Sequence, residues 1–207
     1  MKLLIAVPAL DYIHTEFVRC LIALINKLRS NRVQFETKIE SGTLVYVARD
    51  KLANYAINNE FSHVLWLDSD IVFQDTIIED LEFSGADFVT GIYHSRRTPF
   101  VSTVFRKIEP PEWYKLDDYP HEPFEIAGCG FGAVLIKTQI LKDVMLSQKT
   151  CFCPIRNMGE DLAFCKRARE SGYKIIADPT VRLGHIGHIT VYPDDTIAWM
   201  AQLHANR

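Results

Sequence analysis

The residues His63-Val64-Leu65-Trp66-Leu67-Asp68-Ser69-Asp70-Ile71-Val72-Phe73 join a short apolar run to a pair of carboxylates one residue apart. Val64 to Leu67 suit a strand buried on both faces of a sheet. In an extended backbone, residues i and i+2 point to the same side, so Asp68 and Asp70 present oxygens to one shared point at the strand's end. Two carboxylates placed there repel each other unless a cation intervenes. A hard divalent ion, Mg²⁺ or Mn²⁺, prefers oxygen ligands and usually bridges to substrate phosphates, so the pattern predicts a metal and a phosphorylated partner. The other use of such a pair has Asp68 capping the following turn and Asp70 merely solvated. Position at the end of a buried strand favours the metal.

Upstream, Lys2 to Ala9 reads as a buried strand, and Phe17, Leu21, Leu24, Ile25 and Leu28 form the apolar stripe of a helix over 14–29. Val33, Phe35, Thr37 and Ile39 alternate along a second strand that ends at Glu40. Ser41-Gly42 then leads into a helix from about Leu44 to Asn59. Strand, helix, strand, helix, strand predicts parallel pairing with right-handed crossovers, and ligands in such sheets bind outside the strands' carboxyl ends. Pro8, Ala9, Glu40 and Asp68 would share that edge.

Downstream, Asp75 to Phe83 reads as a short helix and Asp87 to Ile92 as a strand. The strand runs into Tyr93-His94-Ser95-Arg96-Arg97, a loop whose basic residues either face phosphates or are solvated. Val101 to Lys107 reads as a strand. Glu109 to Glu122, rich in Pro, Asp, Trp and Tyr, reads as an exposed loop of the kind that often binds ligands. Gly128, Gly130 and Gly132 follow in an apolar context before a strand at Ala133 to Lys137, with spacing that is wrong for a dinucleotide fingerprint. They serve either close approach of backbone to a ligand or tight packing of strand on strand. Gly159-Glu160-Asp161 opens a helix with Leu162, Cys165 and Ala168 on one face, ending at Ser171-Gly172. Acids in a first helical turn are stabilised there whether or not they do chemistry. Tyr173 to Ala177 reads as a strand, and Gly184-His185-Ile186-Gly187-His188 offers an accessible imidazole able to ligate a metal.

A chain of 207 residues fits one domain with a substantial core. The net charge of −3 excludes general nucleic-acid binding, which needs a concentrated basic surface. No apolar run approaches the ~20 residues of a membrane span. The opening Met1 to Leu10 is broken by Pro8 and followed by Asp11 without a small-residue cleavage site, so it reads as a first strand rather than a signal peptide. The expected location is the cytoplasm. Five cysteines, an odd count without a framework, fit reduced thiols. Cys151, Cys153 and Cys165 lack the paired Cys-x-x-Cys knuckles of a zinc site.

Together these pieces resemble the GT-A fold glycosyltransferases, particularly the family-2-like branch, over Lys2 to about His188. The anchors are Asp68-Ser69-Asp70 after a strand, Ala48-Arg49-Asp50 on the preceding helix, the glycines at 128–132, Gly159-Glu160-Asp161 at a helix start, and a late Gly-His. The resemblance implies an α/β fold: a single GT-A, Rossmann-like domain over 1–207 whose central, mostly parallel mixed sheet is flanked by helices. Its nucleotide-binding part would cover about 1–95 and its acceptor side about 96–207. The implied reaction moves a hexose from a nucleoside diphosphate sugar, a UDP-sugar such as UDP-glucose, to a glycan, a protein-linked sugar or another hydroxyl acceptor, with Mn²⁺ or Mg²⁺ as cofactor.

By resemblance, Asp70 is the direct metal ligand, and Asp68 meets the ribose or reaches the metal through water. His185, or else His188, completes the metal shell. Pro8, Ala9, Glu40 and Arg49 would line the base pocket, with Ser69 and Gly130 also in the nucleotide-sugar site. Asp161 would be the general base of an inverting transfer, and Glu160 would position acceptor or donor. Glu40 is longer than the aspartate often found there, and Leu162-Ala163-Phe164 after Asp161 leaves the stereochemistry open.

Three rivals compete. A haloacid-dehalogenase-like phosphatase carries its Asp-x-Asp on the first strand, whereas here it lies on the third and Ile71 follows. A sugar-nucleotide pyrophosphorylase wants a glycine-rich basic loop where Pro8-Ala9-Leu10-Asp11 stands. A non-catalytic sugar-nucleotide-binding module would have no need to retain Asp68, Asp70, Asp161 and His185 together.

Overall fold

A computed structural model describes residues 1–96, 100–115 and 118–187. The first strand, β1 (Lys2–Pro8), is buried on both faces: Leu3, Ile5 and Val7 enter one apolar layer, and Leu4 and Ala6 enter the other. Helix α1 (Thr15–Ser30) presses Phe17, Leu21, Leu24 and Leu28 onto the first layer. After β2 (Gln34–Glu40), α2 (Val45–Asn58) covers the second layer with Leu52, Ala53 and Ala56. Strand β3 (His63–Leu67) repeats the division, with Leu65 and Leu67 on one side and Val64 and Trp66 on the other. This two-sided burial is why the run before Asp68 is apolar without alternation.

The chain continues through β4 (Ile71–Val72), α3 (Ile77–Glu82), β5 (Phe88–Ile92), β6 (Val104–Lys107), β7 (Glu112–Trp113), β8 (Phe124–Ile126) and β9 (Gly128–Cys129). It then forms β10 (Ala133–Lys137), α4 (Thr138–Gln148), α5 (Glu160–Glu170), β11 (Ile175–Arg182) and β12 (Gly184–His185). Seven strands make the main sheet in the order β2-β1-β3-β10-β5-β11-β8. β1 pairs in parallel with β2 and β3, and β5 with β11, while β10 and β8 run antiparallel to their neighbours. The sheet is therefore mixed and mostly parallel, with helices on both faces.

Several elements differ from the sequence reading. Helix α4 was not anticipated, although Ile140, Leu141 and Val144 bury one of its faces at helical spacing. The segment 109–122 is not wholly loop, since β7 pairs with β6, and β6 with β9, in a separate three-stranded sheet. The glycine-rich stretch opens with β9, just after β8. The strand expected at Tyr173 to Ala177 runs from Ile175 to Arg182. Among the described residues, no helix is long and apolar enough to cross a membrane.

Candidate functional site

The carboxyl ends of β1, β2 and β3 meet at one edge. Pro8 stands opposite Glu40 in register, the Ala9 N–H donates to the Glu40 carbonyl at 2.9 Å, and the His14 N–H donates to the Ser69 carbonyl at 3.2 Å. Pro8, Ala9, Glu40 and Asp68 thus share the edge expected of them, with Ser69 beside them. The Glu40 carboxylate faces Lys51 Nζ at 2.6 Å. β10 closes the edge from the other side, where the Asp68 N–H donates to the Gly132 carbonyl at 3.0 Å.

Asp161, in the first turn of α5, shares a guanidinium with Asp68. Arg49 Nη2 lies 2.9 Å from Asp68 Oδ1 and 3.3 Å from Asp161 Oδ1. Arg49, expected beside a nucleotide base, instead lies beneath both carboxylates with only 2% of its side chain exposed. Its guanidinium packs over the rings of Phe131 and Phe152, with centroids at 5.1 and 5.9 Å. Burial works against its charge, but Asp161 and Asp68 outweigh burial and hold it firmly protonated. The two side chains are partly exposed, at 28% and 27%, but Asp161 Oδ1 itself is buried and its Oδ2 accepts the Phe131 N–H at 3.3 Å. Burial pushes Asp161 up to about 7, with Asp68 and Glu160 adding to the rise and Arg49 and the Phe131 N–H opposing it. Burial also raises Asp68 in spite of Arg49.

Asp70 and His185 form a second pair. The Ile186 N–H donates to the Asp70 carbonyl at 2.8 Å, and β12 pairs antiparallel with β4, setting His185 opposite Ile71. His185 Nε2 stands 3.5 Å from Asp70 Oδ2, while Nδ1 donates to the His94 carbonyl at 2.8 Å. That bond fixes the proton on Nδ1 and leaves Nε2 facing the carboxylate. The Tyr93 ring meets the imidazole edge-on at 5.2 Å. Burial alone would raise Asp70, but the hydrogen bond and charge of His185, with Arg96, bring it below the ordinary carboxylate range. Burial alone would lower His185, and Asp70 and the His94 carbonyl raise it instead.

Among the described residues, no group of three or more His, Cys, Asp or Glu side chains is placed to hold a metal. Asp70 and His185 are a two-member donor set with an oriented imidazole, so an ion held there would need its remaining ligands from a substrate or water. His188 lies outside the described residues. Cys151 and Cys165 are buried and Cys153 is exposed, and Cys165 meets Cys129 instead, whose N–H donates to its Sγ at 3.4 Å.

A cleft of about 480 Å³ opens over this surface, bordered by Tyr93, Arg96, Gly130, Glu160, Asp161 and His185. Sequence reasoning missed Tyr93. A Cβ on Gly130 would lie 2.5 Å from the Tyr93 hydroxyl, and one on Gly132 would lie 2.6 Å from the ring. The hydroxyl accepts the Gly132 N–H at 3.0 Å. These two glycines therefore make room for Tyr93, which in turn supports His185. Asp50, next to Arg49, is structural: its carboxylate accepts from Thr150 Oγ1 at 2.6 Å and from the Cys151 and Phe152 N–H groups at 2.9 Å.

No protein-family model and no curated protein matches this sequence. Solved structures do. The chain is similar to A197 from STIV, with 22% identity, a TM-score of 0.59, and 91% of this chain and 87% of that one covered. It is also similar to UDP-glucose pyrophosphorylase complexed with UDP-glucose, with 12% identity, a TM-score of 0.55 and coverage of 98% and 99%. The catalytic domain of Drosophila beta1,4-galactosyltransferase 7 in complex with xylobiose gives 14% identity, a TM-score of 0.53 and coverage of 96% and 79%. At such identities the likeness shows the fold, an α/β arrangement of the GT-A, Rossmann-like kind.

Proposed function

We propose that the protein is a metal-dependent glycosyltransferase that moves a hexose from a nucleoside diphosphate sugar, a UDP-sugar such as UDP-glucose, to a hydroxyl of a glycan or protein-linked sugar. The observation that carries this reading is one cleft bordered by both Asp161 and His185, with Asp161 sharing Arg49 with Asp68 and His185 facing Asp70. The fold shared with a galactosyltransferase domain and a UDP-glucose pyrophosphorylase supports a nucleotide-sugar substrate.

Pro8, Ala9, Glu40, Ser69 and Gly130 would border the nucleotide sugar. Asp70 and His185 would hold Mn²⁺ or Mg²⁺, with Asp68 touching the ribose or a metal-bound water. When bound, the ion neutralises charge on the departing diphosphate. Asp161 takes the proton of the acceptor hydroxyl as its oxygen bonds to the anomeric carbon and the bond to the diphosphate breaks. A carboxylate titrating at about 7 is suited to that task near neutrality. Glu160, one residue earlier at the cleft, positions the hydroxyl. Arg49, whose Nη2 contacts both Asp161 and Asp68, offsets their repulsion and would hold the two together.

The test is an assay of UDP release from UDP-glucose with Mn²⁺, first against water and then across a glycan array. Transfer to a hydroxyl supports the reading. Formation of UTP from UDP-glucose and pyrophosphate, without transfer, would assign the chain to the pyrophosphorylases instead.

A further inference from the structure

Arg96 reaches the very oxygen that a metal would need. Its Nη1 contacts Asp70 Oδ2, the atom that also faces His185 Nε2 at 3.5 Å. The backbone behind the side chain is fastened. His94 bridges Ser102, and the Ser95 N–H donates to the Val101 carbonyl at 2.8 Å. Arg96 also packs so closely on Gly187 that a Cβ there would lie 2.9 Å from the Arg96 Cβ and 3.2 Å from its carbonyl oxygen. The part with room to move is the guanidinium, on a side chain that is 48% exposed. An ion pair with one partner that exposed is held weakly. A divalent ion on Asp70 and His185 would meet a positive charge already seated on the same oxygen, and like charges at such range repel.

We propose that Arg96 is the counter-ion of Asp70 in the metal-free protein, that a divalent ion displaces it, and that the displaced guanidinium then binds the donor diphosphate. The inference rests on the metal-dependent reading above and adds a diphosphate-binding residue to it. A guanidinium is always charged and offers a planar fork that matches phosphate oxygens, and Arg96 borders the same cleft as Glu160 and Asp161. The exchange makes the two ligands help each other. Metal alone must break the Arg96–Asp70 pair, and the diphosphate restores a partner to the arginine, so each ligand tightens the other.

Calorimetry on the full chain separates this from a structural role. Mn²⁺ is titrated alone, and UDP is titrated at saturating Mn²⁺, into the wild type, Arg96→Met and Arg96→Lys. The expected result is that Arg96→Met binds Mn²⁺ alone at least about fivefold more tightly and binds UDP with Mn²⁺ more weakly by a similar factor. Arg96→Lys should fall between. A merely structural arginine would weaken both affinities together and lower the melting temperature. Mn²⁺ affinity in Arg96→Met that is equal to or weaker than wild type, or unchanged UDP affinity, overturns the proposal while leaving metal dependence standing. A wild type whose UDP binding ignores Mn²⁺ sinks the metal-dependent reading itself, a result visible before any variant is made.

Discussion

At Arg49 one guanidinium, 2% exposed, answers two carboxylates, and the acid on α5 is the one left near neutrality. Asp161→Asn should therefore cut transfer by ~10²–10⁴ while the UDP dissociation constant moves little, because the residue acts on the acceptor. Loss of UDP affinity with near-normal turnover would place Asp161 on the donor instead. In the wild type, the rate should climb as pH rises through about 7, where Asp161 loses its proton, and this limb should vanish in the variant. Stability carries the opposite sign. The folded value of about 7 lies above the ordinary 3.8, so between them the native state binds more protons than the unfolded chain. This group's contribution is present below the lower value and is lost as pH climbs to the upper. Asp161→Asn should remove that decline, so its melting temperature relative to wild type should rise between about pH 4 and 8, even though the buried Arg49 loses a counter-charge.

Among the elements, the β9–β10 connection and the end of β5 are locked by shape. Gly130 would clash with the Tyr93 hydroxyl, whereas Gly132 would clash with the ring itself. Gly130→Ala should destabilise by about 1–3 kcal/mol, as overpacking does. Tyr93→Phe, which deletes the oxygen, should recover much of that loss, with a coupling on the order of 1 kcal/mol in a double-mutant cycle. Gly132→Ala should not be rescued, since its obstacle at 2.6 Å is a ring carbon that phenylalanine retains. Equal rescue at both positions in chemical denaturation would show that the glycines serve something other than Tyr93. The same lock reaches the site, because the Tyr93 ring also rests on His185.

For the whole molecule, elements far apart in sequence meet at the site: β1 to β3 supply one wall, and α5 and β12 supply the other. A ligand that spans them should resist global unfolding. UDP with Mn²⁺ at a hundred times its dissociation constant should add about 2.7 kcal/mol, and the melting temperature should rise by roughly 5–10 °C. Removing Mn²⁺ with a chelator should abolish the shift. An equal shift in chelator would mean that Asp68 and Asp70 tolerate diphosphate without a cation.

What the sequence determined by itself was local. Buried runs at Leu3 to Val7 and Val64 to Leu67, the stripe of α1 and the acids opening α5 are patterns of a few residues, written by burial and helical spacing. Those patterns also placed Pro8, Ala9, Glu40 and Asp68 on one edge, since parallel strands must present their carboxyl ends together. Only the tertiary structure decided the rest. β10, far along the chain, inserts antiparallel between β3 and β5, and no local pattern specifies a neighbour chosen by long-range pairing. Arg49 reads like any helical arginine until Asp68, Asp161, Phe131 and Phe152 close around it. The glycines at 130 and 132 read equally as ligand contact or packing, and only the fold reveals that both lie against Tyr93, nearly forty residues away. Such roles depend on partners distant in sequence, and only folding sets those distances.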